Sequence, residues 1–181
     1  DCLDGIIGEG VGAVNLGETW VGSLTSLCPE KGYWMKSTCD ICFSYDCSEP
    51  MARQSTGLAQ PPYPYNQSTK QAFYFIESVE DIEIGDWILS YNGDEVIGAR
   101  QWQGSIIDVP AMGDDGNDYS VGYMQSGGTP QFKLLQDGEL ISLEGDIPTW
   151  SDNGLFMVSS LIQIIVPVEY SLSQAYPNPF N

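Results

Sequence analysis

Apolar and polar residues alternate over short stretches in much of this chain, and no stretch keeps the 3.6-residue period of an amphipathic helix. Two pairs of strand-like runs are separated by dipeptides that favour tight turns. Asn92-Gly93 separates residues 86–91 from 95–102, and Asp137-Gly138 separates residues 132–136 from 139–143. Because Asn-Gly and Asp-Gly tolerate the positive φ of hairpin turns, each pair is predicted to form a β-hairpin.

The same alternation predicts further strands in the second half of the chain. They fall at residues 72–80, 105–109, 119–124 and 155–166. Strands at intervals of about 8–12 residues, with turn residues between them, are typical of two packed antiparallel sheets. We therefore predict an all-β protein whose main domain, residues 70–168, is an antiparallel β-sandwich, immunoglobulin-like in general architecture.

Glycine and proline mark three shorter segments. Residues 1–48 carry short apolar pieces between closely spaced glycines, which predicts a small glycine-rich β-module that contains all the cysteines. Residues 49–69 are rich in proline and polar residues and are predicted to be a linker. Residues 169–181 include Pro177 and Pro179, which cannot donate to a sheet ladder, so an extended tail is expected.

The charge of the chain narrows the classes of partner. Its 25 acidic residues against 6 basic ones give a net charge of −19, which argues against nucleic acid and anionic membrane surfaces. There is no histidine, so Ser-His-Asp and Cys-His catalytic centres are excluded. No apolar run approaches the length of a membrane-spanning helix, and we expect no membrane insertion.

Three parts of the sequence resemble segments of known bacterial proteins. Ser171-Leu-Ser-Gln-Ala-Tyr-Pro-Asn-Pro-Phe-Asn181 resembles the opening of the C-terminal sorting domain of type IX secretion substrates in Bacteroidetes and related bacteria. Gly5-Ile-Ile-Gly-Glu-Gly10 and Lys31-Gly-Tyr-Trp34 resemble a small repeated β-module of large surface proteins in the same bacteria, and residues 67–161 resemble the module found just before the sorting domain. The resemblance implies an extracellular or cell-surface protein without enzymatic activity.

The five cysteines are Cys2, Cys28, Cys39, Cys42 and Cys47. An extracellular location favours disulfides, which would staple a small core. The alternatives are a zinc site built from the Cys39-x-x-Cys42 pair with Cys28 and Cys47, and free buried thiols. The odd number leaves at least one cysteine free or paired with another chain, and the sequence does not determine the connectivity.

A loop at residues 113–118 concentrates carboxylates. Asp114, Asp115, Asn117 and Asp118 are candidate ligands for calcium, the one cofactor that the sequence suggests. Their spacing does not follow the EF-hand pattern. The alternative is an acidic hairpin tip in which Asp, Asn and Gly are favoured by turn geometry alone.

Two features concern glycans. Asn66-Gln67-Ser68 is a glycosylation-type sequon, so Asn66 is a candidate glycan acceptor. Six aromatic residues would stack on sugar rings if they were exposed together, whereas buried rings would belong to the core. These residues are Trp87, Tyr91, Trp102, Tyr119, Tyr123 and Trp150.

The function that we expect is structural: a subunit of a self-assembling filament, fibre or surface layer. In the similar modules a further strand precedes the Gly-Ile-Ile-Gly-Glu-Gly segment, and its absence here predicts an open sheet edge at residues 5–10. An extended piece of another copy would fill that edge and build a homopolymer.

Residues 161–166 and 170–176 are the candidate donor pieces, because prolines bound them. The candidate assembly residues are Leu161, Ile162, Ile164, Ile165, Tyr176 and Phe180. In the alternative, residues 161–166 form the last strand of their own sandwich. The alternative function is a carbohydrate-binding or adhesion module of a larger secreted hydrolase.

Overall fold

The computed structural model of the chain describes residues 2–28, 31–42 and 58–164. These residues form an all-β protein. The strands are β1 Leu3–Ile7, β2 Gly12–Asn15, β3 Trp20–Gly22, β4 Trp34–Ser37, β5 Gln71–Ile76, β6 Trp87–Asn92, β7 Glu95–Gln101, β8 Ile107–Met112, β9 Gln131–Gln136, β10 Glu139–Glu144, β11 Leu155–Val158 and β12 Ile162–Gln163. A single turn of 3₁₀ helix spans Asp118–Ser120.

The strands build three sheets that stack as three layers. The N-terminal sheet has the order β3-β2-β1-β4, the middle sheet β11-β5-β8 and the third sheet β12-β10-β9-β6-β7. Neighbouring strands are antiparallel except β5 and β11, which are parallel. The middle and third sheets form the predicted sandwich, and the N-terminal sheet covers the other face of the middle sheet.

Strand β5 lies at the centre of the molecule, and all six of its residues are buried. Its side chains alternate between two cores, as the two-residue period of a strand requires. Tyr74 and Ile76 face the third sheet, whereas Phe73 and Phe75 pack with Ile7 of the N-terminal sheet. Burial of each phenylalanine contributes about 1.5–3 kcal/mol, so the N-terminal sheet and the sandwich stabilise one another through a shared core.

Both predicted hairpins are confirmed. Asn92-Gly93 joins β6 to β7, and Asp137-Gly138 joins β9 to β10. The turn residues Gly93, Asp137 and Gly138 have φ values of 62°, 51° and 84°, in the left-handed region that such turns require.

Three strand predictions in the second half need correction. Residues 119–124 are not a strand, because the chain there forms the 3₁₀ turn. The segment contacts the sheets through an isolated bridge from Met124 to Gly113 and through hydrogen bonds from Asn92 Nδ2 to the Gly122 and Tyr123 carbonyls. Residues 155–164 are divided between β11 in the middle sheet and β12 in the third, since the chain crosses between layers at residues 159–161. The third prediction is shifted: β8 covers Ile107–Met112 instead of residues 105–109.

Candidate functional site

A buried polar cluster fixes the N-terminal sheet on the sandwich. Asp108 of β8 accepts a hydrogen bond through Oδ2 from Arg100 Nη2 at 3.2 Å. It also accepts from Ser23 Oγ at 2.6 Å and from the Gly12 N–H at 3.0 Å. The Arg100 guanidinium donates to the Gly10 carbonyl at 3.0 Å. One ion pair therefore binds the backbone of the first layer to the edge of the second.

Burial raises the pKa of the Asp108 carboxyl. The positive charge of Arg100 opposes this rise, as do the hydrogen bonds from Ser23 and from the Gly12 N–H. Burial of a carboxylate costs free energy, and these partners offset that cost. The stability of the fold therefore depends on every one of them remaining in place.

Gln71, the first residue of β5, makes a second connection between the layers. Its Nε2 donates to the Gly8 carbonyl at 2.8 Å. Its Oε1 accepts from the Gly10 N–H at 3.2 Å and from Gln67 Nε2 at 2.9 Å. The turn between β1 and β2 is therefore held over the start of β5.

Three strands of the N-terminal sheet each lie over one strand of the middle sheet. Ser23, which follows β3, reaches β8 through its hydroxyl. Gly12 of β2 lies against the ring of Phe73 in β5, and Gly5 of β1 lies against the side chain of Leu155 in β11. Within the described ranges, β4 is left without a strand beneath it, because four strands lie over three.

The side chains of β4 that point toward this space are Trp34 and Lys36. In the ladder with β1, Trp34 lies opposite Ile7 and Lys36 opposite Gly5. Residues opposite each other in a ladder share a face of the sheet, and Ile7 faces the middle sheet. Trp34 is 64% exposed, the largest exposure of any tryptophan in the described residues.

The strand nearest this space, β11, has an open edge. The carbonyls of Gly154 and Val158 accept from the N–H groups of Phe73 and Glu77, so the even-numbered residues of this strand bond to β5. In a parallel ladder each residue directs its N–H and its C=O to the same side, and successive residues alternate between the two sides. The N–H and C=O groups of Leu155 and Met157 therefore point away from β5, and no described residue forms a backbone hydrogen bond with them.

Side chains or neighbouring segments protect several other edges. On β8, the carbonyls of Asp108 and Pro110 accept from Arg100 Nε at 2.9 Å and from Ser90 Oγ at 2.6 Å. On β12, the Gln163 N–H donates to the Glu80 carboxylate at 3.1 Å. Natural proteins protect edges in this way because an unpaired strand recruits other strands.

We use the name β11 edge site for the outward backbone groups of Leu155 and Met157 together with the side chains of Trp34 and Lys36. Beside it, Met157 and Ile162 line an open cavity of about 210 Å³, together with Glu144 and Asp146. Ile162 is 47% exposed. The site therefore offers unpaired backbone groups, an exposed aromatic ring and further apolar surface in one place.

The predicted assembly residues divide into two groups. The Leu161 N–H donates to the Ser78 carbonyl, the Leu161 carbonyl accepts from the Glu80 N–H, and the Ile164 N–H donates to the Ser142 carbonyl. Ile162 belongs to β12, which pairs with β10, so residues 161–164 bond within their own chain, as the alternative prediction has it. Ile165, Tyr176 and Phe180 lie outside the described residues.

The open edge predicted at residues 5–10 is also corrected. Strand β1 pairs with β2 on one side and with β4 on the other, so it has no free edge. The residues after Gly32, which the sequence did not assign to this position, supply the second neighbour. On this side of the molecule, the strands that lack a second neighbour among the described residues are β4 in the N-terminal sheet and β11 in the middle sheet.

The expected disulfide is confirmed for one pair of cysteines. Cys2 and Cys39 are bonded, which joins the start of β1 to the residues after β4. The Thr38 N–H also donates to the Cys2 carbonyl at 2.8 Å. Cys28 and Cys42 are free thiols in the described part of the chain, and Cys47 lies outside it.

The acidic loop satisfies its own carboxylates. Asp115 accepts from the Tyr119 hydroxyl at 2.7 Å, from Ser120 Oγ at 2.8 Å and from the Thr69 N–H at 3.2 Å. Asp114 accepts from the Gly116 N–H at 2.9 Å. No group of three or more carboxylate, thiol or imidazole side chains in the described ranges is placed to hold a metal ion, so the calcium prediction for Asp114, Asp115, Asn117 and Asp118 gains no geometric support.

These hydrogen bonds also shift two pKa values. The hydrogen bond from Tyr119 is the main reason that the pKa of the Asp115 carboxyl lies well below its usual range. The same bond raises the pKa of Tyr119. The pair therefore favours a carboxylate and a protonated phenol between the acidic and the alkaline limits.

The aromatic residues considered for sugar binding lie mostly in the core. Tyr91, Trp102, Tyr123 and Trp150 are buried. Trp150 Nε1 donates to the Ala111 carbonyl at 2.9 Å, which satisfies the indole inside the protein. Trp87 and Tyr119 are more exposed, but Trp87 begins β6, whereas Tyr119 lies in the 3₁₀ turn and donates its hydroxyl to Asp115. The six rings do not form one platform.

The first and last residues of the sequon differ in their exposure to solvent. Asn66 is exposed, and its N–H donates to the Tyr123 hydroxyl at 2.8 Å. Ser68 is buried, and its hydroxyl donates to the Gly113 carbonyl at 2.6 Å. Glycosylation of Asn66 stays a prediction.

Sequence reasoning missed both the Arg100–Asp108 pair and the β11 edge site. The available signal for the first was an arginine inside a strand-like run, in a chain that has only 6 basic residues. The second had none, because the number of strands in each layer follows from contacts between distant segments.

Comparison with protein-family models, with curated proteins and with solved structures finds no match. Among the described residues, no helix has the length and hydropathy that a membrane span requires.

Proposed function

We propose that this protein is a non-enzymatic structural subunit that assembles with copies of itself outside the cell, exported by type IX secretion. The observation that carries the proposal is the β11 edge site, where a sheet of four strands lies over a sheet of three. An unpaired edge leaves backbone donors and acceptors without partners and recruits further strands. Addition of a strand is a common way for such an edge to bind another chain.

Two further observations support assembly at this place. The protected edges of β8 and β12 contrast with the unprotected edge of β11. Trp34 is exposed on the side of β4 that faces the empty position, and burial of a tryptophan supplies a large part of the energy of many interfaces. Export and extracellular location are inferred from the resemblance of residues 171–181 to a sorting signal and fit the Cys2–Cys39 disulfide.

The carbohydrate-binding alternative has no such observation. Its best candidate rings, Trp102 and Trp150, are buried. Sugar stacking on either ring would require part of the core to open.

Sedimentation velocity and electron microscopy of the full chain over a range of concentrations test the proposal. We expect polymers that grow with concentration, and we expect Trp34→Ser to raise the concentration needed for assembly by about tenfold, or 1.4 kcal/mol. Trp20→Ser is the matched control, because Trp20 is 44% exposed but lies on β3, at the other end of the same sheet. A chain that stays monomeric at high concentration would contradict the proposed function.

A further inference from the structure

We propose that the β11 edge site binds residues 170–176 of a second copy of this chain as a fourth strand of the middle sheet. This inference rests on the proposed function and names the two surfaces through which assembly takes place. The acceptor is the open edge of β11 beneath β4. The donor is the segment Tyr170-Ser-Leu-Ser-Gln-Ala-Tyr176.

The space beside β11 and under β4 corresponds to one strand position. Adjacent strands in a sheet lie about 4.8 Å apart, and stacked sheets lie about 10 Å apart. A strand added beside β11 would therefore occupy the position under β4, as β11 does under β1. Its backbone would pair with the N–H and C=O groups of Leu155 and Met157, which have no hydrogen-bond partner among the described residues.

The donor segment has the alternation that a strand between two layers requires. Tyr170, Leu172 and Tyr176 fall on one side of an extended chain, with Gln174 between the last two, and the small residues Ser171, Ser173 and Ala175 fall on the other. With its large side chains toward β4, the segment would cover the exposed ring of Trp34. With its small side chains on the opposite face, it would fit beside the buried Val158 and the third sheet.

Charge also favours this segment as the donor. The chain carries a net charge of −19, so most of its surface repels another copy. Residues 170–181 contain no charged side chain. They add no repulsion where they meet Glu144 and Asp146, which lie beside the site.

The topology favours a donor from a second copy over the chain's own tail. The connection from β11 to β12 already passes from the middle sheet to the third at residues 159–161. After Ile164 the chain leaves from the third sheet, where the Ile164 N–H bonds to Ser142. To reach its own β11 edge the tail would have to cross that connection, and crossing connections at one edge of a sheet are rare.

Two single variants of the full chain test the two surfaces separately. Met157→Pro removes a backbone N–H that points away from β5, and its control Met157→Ala removes the same side chain but keeps that N–H. Leu172→Pro disrupts the donor, and its control Leu172→Val keeps the backbone donor. We expect each proline variant to be monomeric at concentrations at least about tenfold above those at which its control assembles.

Mixing the two proline variants gives the decisive result. One has an intact donor and the other an intact acceptor, so the mixture can form a single interface. We expect a 1:1 dimer in sedimentation velocity and no longer species. A proline at position 157 can also disturb the fold of the monomer. Near-UV circular dichroism of Met157→Pro and Met157→Ala therefore checks that both variants are folded alike. A synthetic peptide of residues 169–181 added to the wild-type chain should cap growing polymers where a scrambled peptide does not.

Each alternative result is distinguishable. If the wild-type chain assembles and Leu172→Pro assembles equally well, the inference is wrong and the proposed function stands. If the mixture of proline variants stays monomeric or forms long polymers, the pairing of these two surfaces is wrong. If the wild-type chain is a monomer whose residues 170–176 lose amide-exchange protection in Met157→Pro, the tail fills its own β11 edge, and both the inference and the proposed function fail.

Discussion

At the scale of single residues, two ion pairs in the described part of the chain show that the same N–O distance contributes differently to stability when the pair is buried and when it is exposed. The Arg100–Asp108 and Lys31–Glu9 pairs both have an N–O distance of 3.2 Å. The side chains of the first pair are 8% and 2% exposed, and those of the second are 59% and 66% exposed. Water screens the exposed pair, whereas the buried pair depends on its own partners.

Removing one acid from each pair should therefore have very different effects. Asp108→Ala leaves the Arg100 charge buried without its partner and should lower the free energy of unfolding by about 3–5 kcal/mol. Glu9→Ala should lower it by less than about 1 kcal/mol. Urea unfolding of the two variants measures both values. Equal losses would show that the buried pair does not hold the N-terminal sheet.

The bond between Asp115 and Tyr119 predicts a dependence on pH at both extremes. The pKa of Asp115 is lowered from its ordinary 3.8, so its stabilising effect is complete above that value and is lost as the pH falls toward the lowered pKa. The pKa of Tyr119 is raised from 10.0, so its effect is complete below that value and is lost as the pH rises through the raised pKa. The amide-exchange protection factors of residues 114–120, which are the exchange rates of the unfolded chain divided by those of the folded chain at the same pH, should be highest between these limits.

Substitution of one partner checks the assignment. Asp115→Asn should move the pKa of Tyr119, followed by NMR of the ring, back toward its ordinary value. Asp118→Asn, in the same loop, should leave the Tyr119 titration unchanged because Asp118 is not a partner of that hydroxyl. A titration that Asp115→Asn does not move would rule out the bond as the cause.

At the scale of elements, the close approach of β7 to β8 closes one side of the sandwich. A side chain at Gly98 would overlap the carbonyl oxygen of Pro110. Among the described strand residues, Gly98 is the glycine at which an added Cβ would come nearest to a backbone atom of another sheet. The opposite side of the middle sheet, at β11, has no such closure among the described residues.

Gly98→Ala should therefore destabilise the fold by about 1–3 kcal/mol, because the strands must separate to admit the methyl group. Gly32→Ala is the control, since a side chain there meets nothing within 4 Å, and it should change the free energy of unfolding by no more than about 0.5 kcal/mol. Thermal or urea unfolding compares the two. A neutral Gly98→Ala would mean that β8 can shift without cost.

The elements differ in how far the sequence predicts them. The hairpins at Asn92-Gly93 and Asp137-Gly138 follow from turn chemistry that lies within four residues, and both are confirmed. Residues 119–124 have strand-like composition, but only Met124 forms a bridge, to Gly113, and the residues before it form turns. The division of residues 155–164 between two sheets depends on β5 and β10, which are distant in sequence, so local pattern could not predict it.

The candidate site shows the same limit. The sequence predicted an open edge in the first module, and the edge exists one layer away. That β4 pairs with β1 is a contact between residues about thirty positions apart, and the alternation of Trp34 to Ser37 does not specify it. The exposed Trp34 and the buried Trp102 look alike in sequence, and the layers around them decide which one can bind another chain.

At the scale of the whole molecule, the net charge of −19 opposes association of copies. Salt shortens the range of that repulsion from about 30 Å at 0.01 M to about 8 Å at 0.15 M. The donor segment has no charged side chain, so it forms no side-chain ion pair with the β11 edge site that salt would weaken.

Assembly should therefore become more favourable as salt is added. Light scattering at fixed protein concentration should rise between low and physiological ionic strength, and the Met157→Pro variant should show no such rise. Polymers that dissociate on addition of salt would indicate a contact made by ion pairs, contrary to the proposal.

The Cys2–Cys39 disulfide has a consequence for the response of the chain to proteolysis. It closes a covalent loop over a sequence separation of 37 residues that contains β1, β2, β3 and β4. A protease that cuts once between residues 3 and 38 therefore produces two pieces that stay linked. The severed ends would remain beside the shared core around Phe73 and Phe75, so a nicked molecule could keep Trp34 in place above β11. The bond therefore makes a single cleavage in the first layer tolerable.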